Sequence, residues 1–180
     1  MLGLSKPTRK NTVTAEISND GKGFLLRSSM RVPRPREDVF AFFADARNLQ
    51  RITPSSLHFD ILTKGPIEMR EGTRIDYRLR VHRIPLRWRS AITAWEPPYR
   101  FVDEQEKGPY RQWIHEHTFE EEGDSTLVHD RIRYRIFGGG LINRLFVSRD
   151  LRSIFEFRAR ALRDIFAGDS DTKTAGIAVR

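Results

Sequence analysis

The 180-residue sequence contains no cysteine. That excludes a disulfide framework, a thiol nucleophile and any zinc site built on thiolates, and it suits a reducing cytoplasm. Long hydrophobic runs are missing too. No stretch approaches the roughly 20 apolar residues that span a bilayer, and residues 1–22 lack the continuous apolar block of a signal peptide. A cytoplasmic protein without a transmembrane segment is therefore expected. Lysine is scarce, so the formal net charge of +8 is carried almost entirely by arginine. What is present is core material: 38% of residues are hydrophobic, with 12 phenylalanines. A chain of this length makes one domain that buries roughly 70% of its unfolded surface.

Residues 1–22 and 168–180 carry no hydrophobic period and read as flexible tails around a domain at 23–167. Within it, 24–32 alternate as a strand. Pro35 then opens a helix carrying Val39, Phe40, Phe42 and Phe43 at near-helical spacing, with Glu37 and Asp38 in its first turn. Asp45 or Asn48 is placed to cap a second short helix, and Thr53-Pro54 to close it. From residue 57 the period changes to two. Six strands are expected at 57–63, 73–82, 87–95, 100–106, 111–119 and 126–137, divided by Gly and Pro turns. A run of three glycines, Gly138 to Gly140, leads to a final helix of about 25 residues. Its stripe is Leu141, Leu145, Leu151, Ile154, Phe155, Leu162 and Ile165. The order predicts an α+β fold, with a curved antiparallel sheet of about seven strands and two short helices between strands 1 and 2. Only the long C-terminal helix is long enough to cover the sheet.

The parity of each strand sorts its side chains. Arg87, Arg89, Arg131, Arg133 and Arg135 fall outside, near the outward Glu104, Glu106, Glu116 and Glu120. This interleaving cancels the field a phosphate backbone needs, so nucleic-acid binding is not expected. The inward faces are unusual. Asp103, Gln105, His115, His117 and Asp130 share them with Tyr77, Trp88, Ser90, Trp113, Phe119 and Tyr134. Hairpins turning at Gly108-Pro109 and at Gly123 set Asp103 and Asp130 beside one or other histidine, in a register that sequence alone leaves open.

Buried without partners, these groups would cost several kcal/mol each. A satisfied hydrogen-bond network serving only the fold is one account. So many polar residues on three consecutive strands, ringed by aromatics, favour a cavity lined for a ligand. Tyr77, Trp88, Trp113, Phe119 and Tyr134 would be its apolar walls. Ser90, Asp103, Gln105, His115 and His117 would face the polar part of a small hydrophobic or amphipathic molecule. The same His–Asp pairing suits acid–base work, which makes His115, His117, Asp103 and Asp130 the catalytic candidates of an enzyme. A protein-interaction role through the outer face is a third reading. No cofactor is expected, and the HxH spacing is too weak a signal by itself to require a metal. The glycine run lacks the lysine of a phosphate-binding loop and reads as a hinge at the cavity mouth.

The segments NLQRITP (48–54), GPIEMREGTRIDYRLRVHRIPLRW (65–88), WEPPYRFVDEQEKGPYRQWIHEHTF (95–119) and FVSRDLRSIFEFR (146–158) resemble the START-like superfamily, also called SRPBCC. It includes polyketide cyclases and dehydratases, lipid-transfer domains and bacterial single-domain ligand-binding proteins. The resemblance spans residues 24 to 166. It implies the helix-grip fold, with an apolar cavity beneath the last helix, and brings no catalytic residue set with it. The sequence departs from the pattern at IFGGGLI (136–142) and at Arg83, where a glycine is expected.

Overall fold

The computed structural model of the protein describes residues 15–19 and 21–174. Eight strands form a single antiparallel sheet: β1 (Glu16–Asn19), β2 (Phe24–Val32), β3 (Asp60–Ile61), β4 (Arg74–Val81), β5 (Ile84–Glu96), β6 (Arg100–Lys107), β7 (Gln112–Glu122) and β8 (Ser125–Arg135). Their spatial order is β1-β2-β8-β7-β6-β5-β4-β3. The two short helices α1 (Arg36–Ala44) and α2 (Asn48–Arg51) lie between β2 and β3. One turn, α3 (Gly139–Ile142), passes through a π-helical turn at Asn143–Val147 into the long α4 (Ser148–Thr174). This is the expected helix-grip architecture with one more strand. No helix among the described residues is long and apolar enough to cross a membrane.

The inward faces pack where parity places them. Val39, Phe40, Phe42 and Phe43 of α1 join Met30, Val32, Ile92, Phe101, Phe119, Val128, Leu162 and Phe166 in one apolar cluster. Phe24, Leu26, Ile132, Tyr134, Leu151 and Phe155 form a second. Register shifts in the β5–β6 ladder between Arg89 and Ser90 and between Ile92 and Ala94 bend the sheet around α4.

Several expectations need correction. Residues 16–19 are an edge strand rather than tail: four residues are too few to show a period, and their order comes from pairing with Phe24–Arg27. Residues 1–14 lie outside the described ones. At the other end α4 continues to Thr174, past the expected boundary at 167, and 175–180 lie outside the described residues. The strand expected at 57–63 shrinks to Asp60–Ile61 because Ser55–Leu57 coil into a 3₁₀ turn and His58 turns left-handed at φ 44°. Neither Asp45 nor Asn48 caps α2. Asp45 accepts the Arg47 N–H, and the Asn48 amide reaches back to the Phe42 carbonyl. Thr53 does close the turn, its hydroxyl donating to the Leu49 carbonyl at 2.6 Å. Leu141 and Leu145 are exposed, since the π-helical turn shifts the helical phase before α4 begins. On the outer face, Arg89 pairs with Asp76 and Glu106 with Arg74, each at 2.8 Å, while Glu116 meets Arg131 at 3.6 Å as expected.

Candidate functional site

The sheet's three central strands bring the polar residues together. Asp103 of β6 stands opposite His115 of β7, and His117 stands opposite Asp130 of β8. Side chains two apart on β7 project to the same face, so the imidazoles stack with centroids 3.8 Å apart. Each ring then spans both carboxylates. His115 Nε2 donates to Asp130 Oδ1 at 2.9 Å, and His117 Nε2 donates to Asp103 Oδ2 at 3.3 Å. His115 Nδ1 lies 3.6 Å from Asp103 Oδ2. His117 Nδ1 lies 2.9 Å from Asp130 Oδ1, but its N–H is misaligned for a hydrogen bond.

Arg158 of α4 completes the cluster. Its Nη2 is 3.5 Å from Asp130 Oδ1, and the guanidinium lies over the Phe43 and Phe155 rings at 5.2 and 5.7 Å. Sequence reasoning missed this residue. Arg158 belongs to the same helical stripe as Leu151, Phe155 and Leu162, and a charge inside an apolar stripe was the available signal.

The electrostatics divide the two histidines. Burial, aided by the neighbouring His117, pushes His115 down to about 4, so that it is neutral at pH 7. Burial also opposes a charge on His117, but Asp103 and Asp130 outweigh it and hold this imidazole above its ordinary value. Burial likewise opposes the charge of both carboxylates. Arg158 and the two histidines nevertheless keep Asp130 well below the usual range, and His117, His115 and Arg158 keep Asp103 below it. Two carboxylates therefore face one guanidinium and one imidazole whose protonation they favour, so opposite charges meet within the buried cluster.

In front of the cluster lies a cavity of about 780 Å³ between sheet and α4. Its walls include Tyr77, Trp88, Ser90, Trp113 and Ile75, and Asp103, His115, His117 and Arg158 face it. The Trp88 indole N–H donates to Ser90 Oγ at 3.0 Å, and Ser90 in turn donates to Asp103 Oδ1 at 3.4 Å. Exposed His82, Arg83, Phe137 and Ile142 belong to its rim, so the glycine run does lie at the mouth.

Three residues expected at the lining are elsewhere. Gln105 is used by the β6–β7 turn, where its amide donates to the Tyr110 carbonyl at 2.7 Å and accepts the Tyr110 N–H. Phe119 is packed solid against Phe40, Phe43 and Phe101. Tyr134 lies in the second cluster, its hydroxyl donating to Asn143 Oδ1 at 2.9 Å. Asp130 is behind the histidines rather than at the cavity surface.

A family described as "Polyketide cyclase / dehydrase and lipid transport" matches residues 32–163. No curated protein matches the sequence. Among solved structures, TTHA0849 from Thermus thermophilus is 19% identical with a TM-score of 0.65, covering 81% of this chain and 99% of its own. A START superfamily protein from Mycobacterium smegmatis is 12% identical at a TM-score of 0.60, covering 80% of this chain and 97% of its own. The ginseng major latex-like protein 151 from Panax ginseng, also 12% identical at 0.60, covers 79% and 96%. At such identities the likeness is one of fold.

Proposed function

The chain belongs to the polyketide cyclase / dehydrase and lipid transport family, and on that premise we propose that it encloses a small, largely hydrophobic molecule bearing a polar group. The observation that carries this reading is the cavity itself: about 780 Å³ walled mainly by aromatic and aliphatic side chains, with one polar cluster on its floor. The walls hold the apolar body. Ser90, Asp103, His115 and His117 orient the polar end. Native mass spectrometry of freshly purified protein tests it, with a co-purifying small molecule in sub-stoichiometric to full occupancy as the expected result. The reading fails if the purified protein carries none and an apolar fluorescent probe does not bind either.

A second reading is acid–base catalysis of the cyclase or dehydratase type. It is favoured by one observation, the 2.9 Å bond from His115 Nε2–H to the Asp130 carboxylate, which leaves the Nδ1 lone pair as the proton acceptor on the cavity side. A bound molecule retained by His115→Ala with no turnover selects the carrier. A large rate loss in His115→Ala with the molecule still bound selects the enzyme.

A further inference from the structure

The two sides of the histidine pair are not equivalent. Behind the rings a single oxygen, Asp130 Oδ1, lies 2.9 Å from both His115 Nε2 and His117 Nδ1. In front, His115 Nδ1 and His117 Nε2 lie 3.6 and 3.3 Å from Asp103 Oδ2, and the three ligand atoms fall within 4.8 Å of one another. We infer that Asp103, His115 and His117 form a site for a divalent first-row cation, best matched by zinc, with Asp130 as the outer carboxylate that orients His115. The inference rests on the reading of the cavity as a binding chamber, because it makes the cation the polar anchor of that chamber.

Three features point this way. Tetrahedral zinc with nitrogen and oxygen donors at about 2.0–2.2 Å sets its ligand atoms roughly 3.3–3.5 Å apart, close to both front distances. A network serving only the fold would be complete with one carboxylate per histidine. Here each carboxylate approaches both rings, one from each side, and His115, with Nε2 held by Asp130 and Nδ1 facing Asp103, has the arrangement of a metal-bound imidazole whose other nitrogen is held by an outer acceptor. His115 also has the tautomer that a ligand needs. Its only proton is on Nε2, directed at Asp130, so Nδ1 presents a lone pair beside Asp103. His117 Nε2 must exchange its hydrogen bond to Asp103 for a lone pair directed at the cation.

The charges set what completes the site. A dication and Arg158 against Asp103 and Asp130 leave one positive charge, which an anionic oxygen of the enclosed molecule, such as a carboxylate or enolate, would neutralise. Two imidazoles and one carboxylate suit zinc and also ferrous iron, whereas magnesium and calcium prefer all-oxygen sets.

The test uses the full chain, stripped of metal with a chelator and titrated with Co²⁺. The expected result is visible ligand-field absorption saturating at one equivalent per chain, abolished by stoichiometric Zn²⁺. Asp103→Asn and His117→Gln should weaken binding at least as much as loss of an outer-shell partner does, and Asp130→Asn should weaken it by roughly 10–100-fold. Paramagnetically shifted imidazole resonances in the wild-type cobalt form identify His115 and His117 as ligands without any substitution, so an unfolded variant does not spare the inference. Absence of saturable cobalt binding, or shifted resonances belonging to other histidines, overturns it. An apolar fluorescent probe is titrated into the same metal-stripped protein. Probe binding without cobalt binding removes the cation alone, whereas cobalt binding without probe binding supports the cation and removes the chamber.

Discussion

Asp130→Asn is the substitution that reads the cluster most directly. The side chain of Asp130 is 7% exposed, and its Oδ1 accepts from His115 at 2.9 Å while standing 3.5 Å from the Arg158 guanidinium. Asparagine keeps the shape and removes the charge. Arg158, whose side chain is 9% exposed, then loses its only carboxylate within 4 Å among the described residues, and His117 loses one of two. Removing one partner of a buried charge pair costs about 3–5 kcal/mol, which for a chain of this length lowers Tm by roughly 6–20 °C. Differential scanning calorimetry of the wild type, Asp130→Asn, Arg158→Met and the double variant forms a complete cycle. Once Arg158 has been replaced, a neutral amide at position 130 no longer strands a cation, so the double variant should lose less than the sum of the two singles. A Tm fall below about 2 °C for Asp130→Asn, or additivity of the cycle within about 0.5 kcal/mol, would refute the claim that these charges hold one another.

Three further outcomes follow from the same geometry. Ser90→Trp places an indole in the cavity beside Trp88 and should weaken apolar-probe binding at least tenfold with unchanged far-ultraviolet circular dichroism; undiminished binding places the probe elsewhere. Stability measured by urea unfolding should peak near pH 6.5. On the acid side the unfolded chain takes up a proton that folded His115, lowered to about 4, refuses, so stability falls as pH drops from 6.5 towards 4. On the other side, the stabilisation from His117, raised in the fold, is complete below pH 6.5 and is lost as pH rises through its folded value. A flat profile between pH 5 and 7 contradicts both assignments. Arg83→Gly should stabilise the protein by about 1–2 kcal/mol, read as a higher urea midpoint, because Arg83 occupies the tight β4–β5 turn at φ 71°; an unchanged midpoint means the left-handed turn is not strained.

Most of the fold was legible because a sheet with one buried face writes itself as period two. In β8, Thr126, Val128, Asp130, Ile132 and Tyr134 are all buried, and Arg131, Arg133 and Arg135 are outside, as parity requires. Parity also placed both histidines and both aspartates inward. It left open which carboxylate opposes which ring, since that depends on turn lengths and on where the ladders slip. Nor does parity say how far along a strand the hollow extends. Phe119 and Tyr134 point inward like His115 and His117, yet each lies beyond the cavity, in the packed cluster at one end or the other. Gln105 points inward and is taken by the adjacent turn. Arg158 escapes a reading of the terminal helix that follows apolar positions alone.

The cluster also explains how one domain has two packed ends and a hollow middle. His117 stacks on Phe101 at 4.2 Å and meets Phe43 edge-on, which ties it to the first apolar cluster. His115 meets Trp113 and Phe155, which belong with the second. Between them lie two carboxylates, a guanidinium and two imidazoles, so the cavity floor is strongly polar at close range while its opposite charges largely offset one another at a distance. Such a floor does not draw ions in along a long-range field, and it discriminates by contact. A hydrocarbon pressed against it would strand desolvated donors and acceptors at about 1–3 kcal/mol each, whereas a molecule with an oxygen at one end replaces the water it displaces. On the proposed carrier reading, the aromatic walls would set how much apolar bulk is held, and the histidine–aspartate floor would set which end of the molecule points inward.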